Sequence, residues 1–284
     1  MEIWTRILQI LDTQMTTPGL FGWFHLLWLG IVVAASLALG LRGHNRSFDN
    51  VRKIVLILSV VTIVLEVYKQ INYTFGDGSS APAYQWYAFP WQFCSTPMYI
   101  GLVAGLTKKG KFHDALCAYL ATFGMFAGMA VMLYPGDVFI GTVGINIQTM
   151  VCHGGMVVLG ALLLASGHVK AELRTILKAL PVFATVVLIA VAMNEAAFRT
   201  GLLEEHTFNM FFVSPYCEPS LPVYSLVQGV LPFPWSLLVY ILGFTAAATV
   251  VLAVAMGIGK LLAHSGQKEH FYGSYSRFHL KLHG

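Results

Sequence analysis

The chain has 284 residues, of which 57% are hydrophobic and 11% charged, with a formal net charge of +4. That composition, with a mean hydropathy of +0.69, excludes an ordinary soluble domain and describes a polytopic membrane protein. The cations are spread over short loops and leave no nucleic-acid footprint; the cysteines at 94, 117, 152 and 217 have neither metal-ligand nor disulfide-framework spacing, so no metal and no other cofactor is expected.

Residues 1–18 place Ile3, Trp4, Ile7, Leu8 and Leu11 on one helical face with Glu2, Arg6 and Asp12 off it, and Pro18-Gly19 closes the segment. This predicts an amphipathic helix lying in the membrane interface. Seven apolar stretches follow at about 19–41, 54–75, 89–107, 113–134, 147–167, 176–198 and 232–258. Each is close to the roughly 20 residues that cross hydrocarbon. The expected fold is all-α: a seven-helix transmembrane domain over 19–260 and a basic tail over 261–284.

The basic residues set its orientation. Arg42, Arg46, Arg52 and Lys53, then Lys108, Lys109 and Lys111, then Lys170, Arg174 and Lys178, then Lys260, Lys268, Arg277 and Lys281 all fall on one side. Only Arg6, Lys69 and Arg199 lie toward the other, so the N-terminus is expected outside and the C-terminus in the cytoplasm. The outer connection 200–231, rich in aromatics and proline, is long enough to fold over the bundle as a cap. Gly124 and Gly128 form a small-xxx-small pair suited to close helix packing.

With this topology, nearly every strongly polar residue inside a span falls in the outer half. His25 lies in the first span; Glu66, Lys69 and Gln70 end the second; Gln92, Cys94, Ser95 and Thr96 begin the third; His153 with Cys152 lies in the fifth; Asn194, Glu195 and Arg199 end the sixth. Ionisable groups in a membrane are costly and face a cavity or a partner, so one-sided clustering predicts an outward-facing polar chamber. The plainer reading is structural: Glu66–Lys69 and Glu195–Arg199 are spaced as self-contained ion pairs.

Cys94 and His153 are both expected roughly 7–9 Å below the outer helix ends at 1.5 Å per residue. A thiol becomes a strong nucleophile when an imidazole takes its proton and a third group orients that imidazole. Glu66, Asn194 or Glu195 could orient His153, and Gln92, Ser95 or Thr96 could donate to an oxyanion. On an ideal helix, however, Cys94 points about 160–200° away from Gln92 and Thr96. The helix must therefore bend at Pro97, or the thiol and its donors line different walls. A Cys94–Cys152 disulfide and a plain packing role for either residue are the alternatives.

Pro90-Trp91-Gln92-Phe93-Cys94-Ser95, the helix of His153, Asn209-Met210-Phe211-Phe212 and Leu231-Pro232-Phe233-Pro234-Trp235 resemble the YwaF-type integral membrane proteins. That family includes a eukaryotic transmembrane acyltransferase acting on ether phospholipids. Its fold is similar to that of the androgen-induced membrane hydrolases of fatty-acid esters, which use a threonine nucleophile and a histidine. The resemblance implies that Cys94 is the nucleophile and His153 the base, with membrane phospholipids and lysophospholipids as substrates. The location it implies is a bacterial plasma membrane, or the endoplasmic reticulum in a eukaryote.

A rival from another class is a small-solute transporter or receptor whose ligand meets Glu66, Lys69, His153, Glu195 and Arg199. Such a site belongs near the midplane, among discontinuous helices with repeat symmetry. A lipid enzyme should instead open sideways to the outer leaflet.

Overall fold

The computed structural model describes residues 6, 9–43, 46–76, 83–136, 138–203, 207–218 and 221–264. Among them are six helices long and apolar enough to cross a membrane. They are α1 (Trp23–Gly43), α2 (Phe48–Phe75), the composite of α4 (Lys111–Tyr119), a π turn (Leu120–Gly124) and α5 (Met125–Leu133), then α6 (Val143–Ala165), α7 (Arg174–Arg199) and α9 (Trp235–His264). The shorter α3 (Thr96–Leu106) and α8 (Pro222–Val230) complete the helical set. The bundle is all-helical, with one isolated bridge between Gln14 and Thr142.

Where the sequence predicts one continuous helix over 89–107, only Thr96–Leu106 is α-helical. Its 11 residues make about 16 Å, roughly half of the hydrocarbon thickness. Two causes combine. Pro97 lies in the first turn, where its ring is compatible with a helix start and not with a helix interior. Residues 86–95 instead form short turns, with Phe89 N–H on Trp86 O at 3.1 Å and Ser95 N–H on Gln92 O at 2.8 Å.

The two ends of the bundle are chemically distinct. At the basic end Phe48 stacks on His168 with ring centroids 4.8 Å apart, and Arg52 donates to Thr107 O at 3.4 Å. The starts of α2 and α4, the end of α3 and the α6–α7 turn therefore meet there. At the far end Tyr68 donates to Leu11 O at 2.7 Å and Asn72 to Asp12 Oδ1 at 3.4 Å, while Met15 N–H bonds Gly141 O at 2.7 Å. The predicted interfacial helix over 1–18 lies largely outside the described residues, and what is described of it is tied to α2 and to the start of α6. Most of the predicted tail 261–284 lies outside them as well.

Glycines set the closest helix approaches. A Cβ on Gly105 of α3 would stand 2.6 Å from the Leu56 Cβ of α2, and one on Gly128 of α5 would stand 2.5 Å from the His153 carbonyl oxygen of α6. Gly128 thus packs as its small-residue pattern predicts; the Gly124 position is looser, with Pro97 at 3.6 Å. The centre is aromatic: Phe123 and Phe183 stack at 4.2 Å and Tyr240 and Phe244 at 4.1 Å. The π turn sits in this centre and touches α3, α6, α7 and α9.

The described part of the connection after α7, over 207–218, enters the bundle. Met210, Phe211, Val213 and Ser214 are fully buried. Phe211 and Phe212 have φ of 59° and 57°, a left-handed region that non-glycine residues rarely adopt. The contacts described next hold them there.

Candidate functional site

Gln92 and Asn194 grip the inserted loop from opposite walls. Gln92 Nε2 donates to Asn209 O at 3.0 Å and its Oε1 accepts from Phe211 N–H at 2.8 Å. Asn194 Nδ2 donates to Met210 O at 3.0 Å and its Oδ1 accepts from Met210 N–H at 2.8 Å. Each amide acts like a backbone partner for a three-residue turn. Of the oxyanion donors expected from sequence, Gln92 is therefore spent on the loop, and Asn194 orients Met210 and not His153.

Cys94 lies two residues before the start of α3, outside any α-helix, and is half-buried. The facing problem of an ideal helix accordingly does not arise: the turn over 92–95 sets the direction of Cys94. Ser95 is beside its sulfur. Thr96 Oγ1 donates to Phe93 O at 3.1 Å and so accepts from the Tyr119 hydroxyl, 2.7 Å away. The four cysteines are free thiols, including Cys152, which accepts from Gln148 Nε2 at 3.5 Å.

His153 is buried, and its Nδ1–H donates to Thr149 O at 2.7 Å. That bond fixes the tautomer, leaving Nε2 with a bare lone pair, and Nε2 has no hydrogen-bond partner and no contact with solvent. The orienting group is thus a backbone carbonyl one turn back, not a carboxylate. No hydrogen bond joins His153 to Cys94 in this structure. Because α6 begins at Val143, about four residues before the predicted start, His153 is in the middle of its helix, some 15 Å from the end at 1.5 Å per residue. His153 is thus deeper within its helix than the sequence implies.

Between these two residues electrostatically stands an ion pair. Lys69 Nζ is 2.8 Å from Glu66 Oε1, with Glu66 almost wholly buried. Gln70 Nε2 donates to the same oxygen at 2.7 Å and to Ala88 O at 2.8 Å. The Lys69 charge acts on the Cys94 and Cys152 sulfurs and on the His153 ring.

The other predicted chamber residues are elsewhere. His25 Nδ1 accepts from Phe21 N–H at 3.0 Å and its Nε2–H donates to Met132 O at 2.8 Å, so both nitrogens are used to join α1 to α5. Glu195 pairs with Arg199 at 2.8 Å and accepts from Tyr216 Oη at 2.6 Å in an exposed cluster under the loop. That bond, helped by the surrounding carboxylate charge, raises the Tyr216 phenol above its usual range.

Two features escape sequence reading. Tyr119 and Tyr240 are buried, act electrostatically on each other and on Cys94, and Tyr240 Oη has no partner. A tyrosine inside an apolar run is the only signal for them, and it does not distinguish a packed ring from a polar one. The second feature is at the basic end, where Cys117 is 3.3 Å from His113 Nε2 and His113 Nδ1 is 3.1 Å from Ala104 O. This is the one direct thiol–imidazole contact among the described residues. Both groups are almost fully buried, and neither lines a described cavity. No group of three metal-ligating side chains occurs among the described residues.

The TMEM164 family model matches residues 20–256, from the start of α1 through most of α9. The chain belongs to the TMEM164 family and is an integral membrane protein. No curated protein and no solved structure matches it.

Proposed function

We propose that this TMEM164-family member is a membrane lipid acyltransferase or esterase in which Cys94 is the nucleophile and His153 the base. The observation that carries the reading is His153 Nε2: a buried lone pair, fixed in its basic tautomer and left without a partner. Leaving such an atom unpaired costs about 1–3 kcal/mol, which a purely structural histidine such as His25 avoids. Cys94 complements it, being placed at the N-terminal end of a half-helix with the Lys69 charge in range. The helix end favours an anion on sulfur, whereas the Lys69 charge is offset by its Glu66 partner.

Burial in apolar surroundings keeps a thiol protonated, so the base is needed as the new bond forms. The Cys94 proton passes to His153 Nε2 after the sulfur swings toward the imidazole. The thiolate adds to a lipid ester carbonyl, the carbon–oxygen bond breaks, and the lyso-lipid alkoxide leaves with the proton from His153. A second lyso-lipid hydroxyl, or water, then gives its proton to His153 and attacks the thioester. The acyl group moves to that oxygen and the thiolate recovers its proton. Ser95 Oγ is the donor available to the oxyanion, since the N–H groups of Ser95, Thr96 and Met98 are already bonded and Pro97 has none.

The topology we assign is seven crossings, the third made of the turn segment 89–95 and α3. The basic end faces the cytoplasm, giving an outside N-terminus and a cytoplasmic C-terminus. A solute receptor or transporter is the second reading, favoured by that half-helix, since broken helices are how such proteins expose binding groups at mid-membrane.

The test is intact-mass spectrometry of protein incubated with phospholipid, for a hydroxylamine-sensitive acyl adduct. Wild type and Cys117→Ala should carry it, Cys94→Ala should not, and His153→Ala should acquire it slowly. An adduct that survives in Cys94→Ala moves the nucleophile elsewhere. No adduct with any lipid class, with Cys94→Ala unchanged in lipid and ligand behaviour, favours the solute reading.

A further inference from the structure

A groove of about 330 Å³ runs between α2 and the segment leading into α3. Its walls are Ile63, Val67, Ile71 and Phe75 of α2 and Met98 and Tyr99 of α3, with Pro90 above them. Glu66, Gln70 and Thr74 follow the same line at helical spacing and form one edge of its floor. We propose that this groove seats one acyl chain of a phospholipid from the far-end leaflet, entering sideways from the bilayer.

Location identifies the surroundings. Val60, Val64 and Val67 on the same helix are 45%, 62% and 54% exposed. Apolar side chains on a membrane-crossing helix meet lipid when they meet no protein. Dimension fits one leaflet: from Ile63 to Phe75 the helix axis advances about 18 Å, slightly more than half of a roughly 30 Å hydrocarbon core. The groove therefore starts near mid-depth, where α3 begins, and ends at the far surface.

The polar edge argues against a polar solute. Gln70 Nε2 gives its two hydrogens to Glu66 Oε1 and Ala88 O, at 2.7 and 2.8 Å, and the Thr74 hydroxyl donates to Gln70 O at 2.7 Å. Gln70 Oε1 accepts from Tyr84 Oη at 2.7 Å. The α2 wall thus keeps no donor for an anion or a sugar, and its remaining surface is hydrocarbon. A second transmembrane helix is also a poor occupant. Close helix contacts need small residues at the seam, and Thr74 is the single small side chain lining the groove.

Position links the groove to the proposed chemistry. Glu66 lines the groove and bonds Lys69, and Cys94 lies two residues before α3, which forms the opposite wall. A chain seated here, with its head group at the far surface, ends near the Cys94 segment, so the groove holds a lipid beside the proposed chemistry and its occupancy does not rest on the acyl-transfer reading.

The experiment uses full-length protein in nanodiscs containing a phosphatidylcholine with a diazirine on one acyl chain, irradiated, digested and mapped by mass spectrometry. Cross-links should concentrate on the peptides holding Val67, Ile71, Met98 and Tyr99, equally in wild type and Cys94→Ala. Val67→Trp and Ile71→Trp, each filling the groove from the lipid side, should lose those cross-links while keeping the labelling of other exposed faces, such as that of Val250 and Val254 on α9. Labelling no denser at the groove than on α9, or undiminished in both tryptophan variants, overturns the proposal. Groove labelling that persists while no Cys94 adduct forms keeps the lipid site and rejects the acyl-transfer chemistry.

Discussion

Asn194→Leu removes one amide of nearly the same size and leaves two backbone groups of a fully buried residue unpaired. Met210 N–H loses an acceptor at 2.8 Å and Met210 C=O loses a donor at 3.0 Å, in surroundings with no solvent contact. Each buried unsatisfied group costs about 1–3 kcal/mol, so the expected penalty is about 2–6 kcal/mol. It should act locally, since the loop can withdraw from the bundle and hydrate while the spans stay packed. Hydrogen exchange in detergent micelles is the direct readout: amides of Met210 to Val213 should lose protection, with α6 and α7 unchanged. Gln92→Leu breaks the second clamp on the same turn, at Asn209 O and Phe211 N–H. Because one withdrawal satisfies both sites, the double variant should cost less than the sum of the singles, with a coupling of about 0.5–3 kcal/mol. Unchanged exchange at Met210 in Asn194→Leu, or strict additivity in the double variant, refutes the clamp.

Gly105→Ala should lower the thermal midpoint, because its Cβ meets Leu56 Cβ and Cα at 2.6 and 2.8 Å. Overpacking of that kind costs about 1–3 kcal/mol. Gly155→Ala, with nothing within 4 Å, is the matched control, and equal midpoints for the two variants contradict the close α2–α3 approach. His168, in the turn between α6 and α7, titrates well below an ordinary imidazole, at about 4 against 6.5, through burial first and then the neighbouring His113 and Lys109 charges, with Asp114 opposing. The fold holds the neutral ring, so its contribution is complete above the unfolded value and is lost as pH falls from about 6.5 toward 4. His168→Phe should flatten the melting-temperature profile in that window; a profile as steep as wild type contradicts the assignment.

The membrane helices are legible in the sequence because each needs only an apolar run of sufficient length, and length survives errors of a few residues at either end. The break at Thr96 is not legible, since Phe89, Trp91 and Phe93 are as apolar as helix residues. Pro97 alone permits either a kink or a start. What decides is the partner of Gln92, a loop turn more than a hundred residues later. The residues of the site are visible as polar interruptions, but their depth is not. A four-residue error in the start of α6 moves His153 by about 6 Å, from the outer half to the middle. Likewise, the exposed Glu195–Arg199 pair and the buried Glu66–Lys69 pair have similar spacing, and only tertiary burial separates them.

The half-helix, the inserted loop and the buried ion pair solve one problem together. A chain that stops being helical inside a membrane leaves backbone groups unpaired, and these must be satisfied by protein. The segment over 89–95 does this largely by itself, with Trp91 N–H on Phe89 O at 2.7 Å and Ser95 N–H on Gln92 O at 2.8 Å, while the Gln92 side chain serves Asn209 O and Phe211 N–H of the loop turn and Gln70 caps Ala88 O. Pairing Lys69 with Glu66 lowers the cost of a cation at this depth. If Cys94 needed only to fill space, a continuous helix would seat it without these arrangements. The turn places a half-buried thiol beside the first residue of α3, and the Glu66–Lys69 pair acts on that sulfur with both signs. The proposed Cys94–His153 chemistry would account for these costs, since strained or unpaired groups concentrate at reactive centres.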